Sequence, residues 1–331
     1  MEKIIKNIIE RSKQLNKTII LPESDDERVL KAVELILKKK IANIILIGDE
    51  SKINLTKMKS PNLKIINPKT SPITKELEEK LYELRKDKGL TEEEATKLIE
   101  DKMYFSCMLL KEGYADGIVS GANHTTSETL KPALQIIKTK ENTNIVSSFM
   151  IMDVNSSKKK GIFVFSDIGL IQKPTSEQLS QIAGETANSV KDILGITPKI
   201  AMLSYSTKGS SIHDDVEKVK VATILAKGKY PDLIIDGEIQ ADAAIDPIVS
   251  KRKEKDSILN GEANVLIFPD LNSGNISYKL VQRLSDCSSY GPICQGFNKP
   301  VNDLSRGCTT EEIVITVAIT SVQSEKNKRT I

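Results

Sequence analysis

The run Asn302-Asp303-Leu304-Ser305-Arg306-Gly307-Cys308, followed at once by Thr309-Thr310-Glu311-Glu312, puts a hydroxyl, a guanidinium, a glycine and a pair of carboxylates in one short stretch. An arginine grips a phosphate with two parallel N–H bonds, and a glycine lets backbone N–H groups approach the same anion. The Thr309-x-x-Glu312 spacing is that of a capping box, which would open a helix and leave Ser305 and Arg306 near its positive end. These parts suit the transfer of a group between an anion and a nucleophile. A polar loop capping an ordinary helix has the same composition, so the run by itself leaves both readings open.

Such a loop acts only if regular elements hold it. Thr18 to Leu21 has the texture of a buried strand, Ser24 with Glu27 predicts a capping box for a helix with an apolar face from Val29 to Leu37, and Asn43 to Ile47 predicts a second strand. Strand, helix, strand with short connections predicts a right-handed parallel crossover. The pattern returns at Asp116 to Ser120, which runs into Gly121, Ala122, Asn123, His124 and Thr125 before a helix around Thr129 to Thr139. Two β-rich runs, Val146 to Val154 and Gly161 to Phe165, flank the polar Asn155 to Lys160 and predict an antiparallel hairpin. Alternation then resumes: helix Thr175 to Leu194, strand Lys199 to Ser204, helix Asp215 to Lys227, strands Leu233 to Asp236 and Asn264 to Phe268, helix Ile276 to Ser285. The class is α/β with mostly parallel sheets.

The 331 residues suffice for two domains, each with its own core. The 48 basic and 45 acidic side chains nearly cancel and are interspersed, and aromatics make up only 4% with no Trp, so neither the charge nor the stacking platforms of a nucleic-acid binder are present. Cys107, Cys287, Cys294 and Cys308 lack the close pairs of a zinc site and read as free thiols of a reducing compartment. No segment approaches the roughly 20 apolar residues that span a bilayer, and no apolar stretch precedes a cleavage site near Met1. A cytoplasmic location without membrane association is the expectation.

Ligands of open α/β sheets bind outside the carboxyl ends of the strands. Four loops following strands are rich in Gly, Ser, Thr and Asn: Ser120 to Ser127, Ser204 to Ser211, Asp236 to Gln240 and Asp270 to Gly274. Each has the composition of an ordinary turn, but four in one chain favour anion binding. Ser206, Thr207, Lys208 and Gly209 combine hydroxyls, a cation and a glycine, the best set of the four. Arg85 closes a predicted helix from Thr74, where a cation complements the dipole, whereas Lys131 stands just inside a helix start, where a cation opposes it and hints at a ligand. Neither G-x-x-x-x-G-K-[ST] nor G-x-G-x-x-G occurs, which argues against a bound nucleotide. The two histidines, His124 and His213, are far apart and read as hydrogen-bonded loop residues, and no metal site is expected.

Read together, Leu84-Arg85-Lys86, Ala115-Asp116-Gly117 through Ser120-Gly121-Ala122, His124-Thr125-Thr126, Pro132 to Thr139, Tyr205-Ser206-Thr207-Lys208-Gly209, Asp236-Gly237-Glu238-Ile239-Gln240 and Gly291-Pro292-Ile293 to Gly307 resemble the phosphate acetyltransferase family over nearly the whole chain. The resemblance implies reversible acetyl transfer between the CoA thiol and phosphate, with CoA and acetyl phosphate as substrates and no permanently bound cofactor. It implies a homodimer of two α/β domains in an isocitrate/isopropylmalate dehydrogenase-like fold with the active site in the inter-domain cleft. Residues 1–143 with 298–331 would form the first domain and 144–297 the second. Ser305 and Arg306 would line the reaction centre, Arg85 would bind substrate phosphate, and Asn123, His124, Thr125 and the Ser206 to Gly209 loop would add binding groups. Two positions depart from the family pattern: Lys131 stands for an arginine, keeping the charge without the fork, and Glu312 stands for an aspartate proposed as base.

A thiol near pKa 8.5 facing a carboxylate near 4.3 leaves a gap of about 4 units, or ~6 kcal/mol, against proton transfer. The expected arrangement has Arg306 on phosphoryl and carbonyl oxygens, Ser305 donating to the tetrahedral intermediate and Glu312 taking the thiol proton in a ternary complex. An acyl-enzyme through Cys308 is the alternative chemistry, since thiolates are favoured at helix N-termini. Phosphate butyryltransferase or another short-chain phosphate acyltransferase is the alternative function in the same class. A decarboxylating dehydrogenase and a silent CoA-binding regulator are the rivals outside it.

Overall fold

The computed structural model describes residues 3–53 and 58–325. The chain divides into two compact units, Met1–Glu141 together with Phe297–Ile331, and Asn142–Gly296. In chain order the first stretch holds α1 (Lys3–Leu15), β1 (Thr18–Leu21), α2 (Glu27–Lys38), β2 (Asn43–Ile47), β3 (Leu63–Ile66), α3 (Thr74–Arg85), α4 (Glu92–Ile99), α5 (Lys102–Lys111), β4 (Gly117–Ser120) and α6 (Thr126–Ile136). The inserted unit holds β5 (Ser147–Asn155), β6 (Lys160–Ser166), α7 (Ser176–Ser189), β7 (Lys199–Leu203), α8 (Asp214–Lys229), β8 (Ile234–Ile239), α9 (Ala241–Ile245), α10 (Pro247–Lys253), β9 (Val265–Ile267), α11 (Leu271–Leu284) and β10 (Cys287–Gln295). The returning segment adds β11 (Val301–Asp303) and α12 (Thr310–Gln323).

The first unit is built on a five-stranded sheet in the order β11-β4-β1-β2-β3, every neighbouring pair parallel. Its strands are short apolar runs such as Thr18–Leu21, as expected where helices cover both faces. Two helices read as apolar all round, and both are central: Met103–Leu110 of α5 and Ile313–Val322 of α12 are buried throughout. The order runs outward from β1 in both directions, so a topological switch point lies between β1 and β4. There the residues after β1, β4 and β11 emerge side by side.

The second unit has a six-stranded sheet in the order β10-β5-β6-β9-β7-β8, antiparallel across β10-β5-β6 and parallel from β6 to β8. The β5-β6 hairpin stands where the sequence predicts it. Phe165 and Phe268 pack 5.2 Å apart in a core with Met150, Phe163 and Leu266. β10, whose run Cys287-Ser288-Ser289-Tyr290 is half-buried, has no alternation to predict it.

Two expected boundaries move. Helix α2 is capped by Asp26, which accepts from Arg28 N–H at 2.8 Å, not by Ser24. Ser24 and Asp25 instead form a turn, closed by Asp26 N–H donating to Glu23 O at 3.1 Å, while the Glu23 carboxylate is held by the loop after β4. Helix α11 begins at Leu271, capped by Asp270, five residues before the expected Ile276.

Candidate active site

Strand β11 brings the Ser305 loop to the switch point. Its last residue, Asp303, lies in register with Ser120 at the end of β4, and Leu304 N–H donates to Ser120 O at 2.6 Å. The chain then turns outward: Ser305, Arg306 and Gly307 are exposed, while Cys308 N–H returns to Ser305 O at 2.9 Å. The expected capping box follows, with Glu312 N–H donating to Thr309 Oγ1 at 3.2 Å and Thr309 N–H donating to Glu312 Oε2 at 2.7 Å. The carboxylate expected to receive a thiol proton therefore closes a helix cap. Arg306 has no side-chain partner among the described residues and projects beside Ser305 at the start of the buried helix α12.

Arg28, which the sequence reading passes over, fixes this loop. Its guanidinium pairs with Asp26 (2.7 Å from Nη2, 3.1 Å from Nε) and donates to Ala122 O at 2.7 Å, Arg306 O at 2.8 Å and Cys308 O at 3.0 Å. The hydrogen bond to Asp26 raises the Arg28 pKa and holds the Asp26 carboxyl below its usual range. One planar fork thus ties together the loops after β1, β4 and β11, a task for which lysine has the wrong shape. The signal was in the sequence: a cation in the first turn of a helix, the same oddity that marks Lys131.

The loop after β4 was expected to bind an anion, and it holds one of the protein's own. Ala122 N–H and Asn123 N–H donate to Glu23 at 2.9 Å, His124 N–H at 3.2 Å, and His124 Nδ1 lies 2.7 Å from Glu23 Oε1. Glu23 is 1% exposed. Gly121 makes the approach possible, since at φ +108° a Cβ would sit 2.4 Å from Asp303 Oδ1 and 2.7 Å from Leu304 N. Thr125 caps α6 through a box with Glu128, and the charges of His124 and Arg306 both act on that glutamate. The side chains of Asn123 and Thr125 face solvent, and that of His124 is half-buried.

Beneath the loop lies an unusual polar group. Asp303 is 6% exposed, and among the described residues its Oδ1, Ser120 Oγ and Thr129 Oγ1 have no hydrogen-bond partner. Burial, with the charge of Glu23 adding to it, pushes the Asp303 carboxyl up to about 6. Cys308 is also buried, and burial pushes its thiol up to about 11 although Arg28 acts against the rise. Burial of that thiol disfavours the acyl-enzyme alternative, which needs an accessible thiolate.

Arg85 reaches Gln135 O in the last turn of α6 at 3.4 Å, so it complements that helix as well as its own. Lys131 is exposed on α6. Ser206, Thr207, Lys208 and Gly209 belong to the inserted unit, where their donors are committed: Gly209 N–H and Ser206 Oγ go to the buried Glu238 at 2.6 and 3.1 Å. Lys208 Nζ pairs with the buried Asp236 at 2.6 Å, and Thr207 Oγ1 accepts from Gln240 N–H at 3.1 Å. Burial would raise Asp236, but Lys208 and Lys227 outweigh it and lower the carboxyl. Among the described residues no helix is long and apolar enough to cross a membrane.

Residues 3–321 match the family model described as phosphate acetyl/butaryl transferase. A phosphate acetyltransferase of Thermoanaerobacterium thermosaccharolyticum is 48% identical over 97% of this chain and 99% of its own length, and one of Acetivibrio thermocellus is 50% identical over 97% and 98%. The crystal structure of a phosphotransacetylase from Streptococcus pyogenes superposes with a TM-score of 0.90 at 42% identity, covering 98% of this chain and 99% of that one. With a serine and an unpaired arginine held at the sheet's switch point and this likeness along its length, the chain belongs to the phosphate acetyl/butaryl transferase family.

Proposed function

We propose that the chain is a phosphate acetyltransferase, converting acetyl-CoA and phosphate to CoA and acetyl phosphate and back. The observation that carries the reading is the exposed Arg306 guanidinium beside Ser305 on a loop whose backbone Arg28 pins at two carbonyls. A rigid backbone with a free fork is suited to hold a phosphate and stabilise charge that grows during transfer. Arg306 takes the phosphoryl oxygens, Ser305 Oγ donates to the oxyanion of the tetrahedral intermediate, and the α12 N-terminus adds its dipole. CoA and acetyl phosphate, the acetyl donor, meet in a ternary complex without an acyl-enzyme, which agrees with the burial of Cys308. Arg85, Lys131 and the outward side chains of Asn123 and Thr125 are the proposed contacts for the remaining substrate phosphates. The Ser206 to Gly209 loop keeps its assigned substrate contact only through atoms not already given to Glu238 and Asp236. Acetyl rather than butyryl as the transferred group is supported by the names of the full-length relatives. A cytoplasmic homodimer is the proposed working form.

The test is phosphate- or arsenate-dependent loss of the acetyl-CoA thioester by the purified chain, repeated with butyryl-CoA. Turnover that requires the anion and prefers acetyl-CoA is expected; thioester loss independent of the anion would refute the reading.

A further inference from the structure

Acyl transfer from phosphate to a thiol needs a proton acceptor, and the carboxylate expected to supply it is engaged at a helix cap. Another group in the same loop cluster has the geometry for the task. The two oxygens of the buried Glu23 face donors, Oε2 receiving the Ala122 N–H and Oε1 those of Asn123 and His124. Against that acceptor, His124 Nδ1, 2.7 Å from Glu23 Oε1, is assigned as the donating nitrogen. In the neutral ring this puts the lone pair on Nε2. Nε2 has no partner among the described residues, and the His124 side chain is 33% exposed. The result is a carboxylate-imidazole dyad with its outer nitrogen unpartnered among the described residues, oriented by a carboxylate that the loop's own backbone holds in place.

The dyad stands next to the proposed reaction centre. Arg28 donates to Ala122 O, two residues before His124, and to Arg306 O, one residue after Ser305. Leu304 N–H donates to Ser120 O on the same pair of loops. Both His124 and Arg306 act on Glu128, which lies at the start of α6. The charged groups around the imidazole are Glu23 on its Nδ1 side, Asp25 from the segment after β1, Glu128 from α6 and Arg306 from the loop after β11.

We propose that His124 is a catalytic residue of this chain, with Nε2 as the acceptor of the CoA thiol proton and Glu23 as the positioning residue behind it; the proposal rests on the acetyltransferase reading. In the direction of acetyl-CoA formation, Nε2 takes the S–H proton as sulfur forms its bond to the acetyl carbonyl carbon. Collapse of the intermediate breaks the bond from that carbon to the bridging oxygen. The imidazolium then gives its proton to the departing phosphate oxygen, so CoA and acetyl phosphate become acetyl-CoA and hydrogen phosphate with nothing left over. As classes, imidazoles lie about 2 pKa units below a thiol and carboxylates about 4, so an imidazole removes roughly half of the mismatch that a carboxylate would face.

The experiment follows acetyl-CoA formation from CoA and acetyl phosphate against pH for the full chain and for His124→Gln and Glu312→Gln. Gln at 124 can still donate to Glu23 but cannot take a proton, and Gln at 312 preserves the capping box. His124→Gln should lower kcat by about 10² to 10⁴ with KM for acetyl phosphate little changed, and the remaining rate should climb with pH toward the thiol's own ionisation. The wild-type acid limb should persist in Glu312→Gln and be replaced in His124→Gln by that single rise toward thiol ionisation. Because the chain has only two histidines, acylation of histidine with diethyl pyrocarbonate in a His213→Gln background gives a second readout that does not depend on a variant at 124 folding. Inactivation that CoA protects against is expected. Full kcat with an unaltered pH profile in His124→Gln, or full activity after complete modification of His124, would overturn the proposal while leaving the acetyltransferase reading intact. An unsubstituted chain with no anion-dependent turnover would instead overturn that reading and the proposal with it.

Discussion

Ser305 and Arg306 differ in how replaceable they are. Ser305→Ala removes one donor to the oxyanion and should lower kcat about 10²-fold with KM little changed, measured by steady-state thioester formation; unchanged kcat would remove the serine from the mechanism. Arg306→Lys keeps the charge but loses the fork, so phosphate-dependent kcat/KM should fall well beyond what salt screening explains. Asp303 sets a pH dependence of stability rather than of catalysis. Its carboxyl rises from 3.8 to about 6 on folding, so the folded state holds the proton more tightly. That contribution is complete below about pH 3.8 and is lost as pH rises through 6, at most ~3 kcal/mol. Asp303→Asn should therefore raise the urea midpoint at pH 7.5 and leave it nearly unchanged at pH 4. At this scale the sequence singles out Ser305 and Arg306 by their types and gives His124 only as a hydrogen-bonded loop residue. It did not show Glu23 or Arg28, whose importance arises from contacts with segments far along the chain.

Helix starts carry much of the local order around the site. Thr309→Ala breaks the box that opens α12 and should cost about 1 kcal/mol in chemical denaturation, with a larger effect on turnover because the Ser305 loop hangs from that cap. Thr309→Ser, which keeps the capping hydroxyl, should retain both. Gly121→Ala asks for a left-handed backbone and puts a methyl against Asp303 and Leu304, so it should lower both stability and kcat. The capping box at Thr309 was legible because its donors and acceptors lie three residues apart. The box at Ser24 was not what formed, since Ser24 lies in a turn closed by Asp26 N–H and Asp26 took the cap instead. Of the four Gly- and Ser-rich loops expected to favour anions, two, Ser120 to Ser127 and Ser204 to Ser211, turn N–H donors onto carboxylates of the protein itself. Their occupants, Glu23 and Glu238, were hidden because a sequence shows a cradle's donors without showing which anion will fill it.

At the scale of the molecule, the first unit is assembled from both parts of the chain that flank the inserted one. Strand β11 completes its sheet beside β4, and α12 packs against α1 and α2. A chain ended after Gly296 should thus lose the site and also the order of the first unit, seen as loss of amide-exchange protection in β4 and α1. The segment 142–296, which is continuous and has its own core, should melt as a cooperative unit by itself. The mostly parallel α/β class was readable from the alternation of strands and helices, whereas the half-buried β10 was not, because an edge strand with mixed exposure has no period to detect. The interrupted layout also has a cost in time. A ribosome adding about 5 to 20 residues per second must place all of Asn142–Gly296 before β11 appears, a delay on the order of ten to thirty seconds. Throughout that interval the edge of β4 and the apolar faces meant for α12 wait uncovered on the nascent chain, so chaperone capture during synthesis should be concentrated there, and no half-made molecule can carry the finished site.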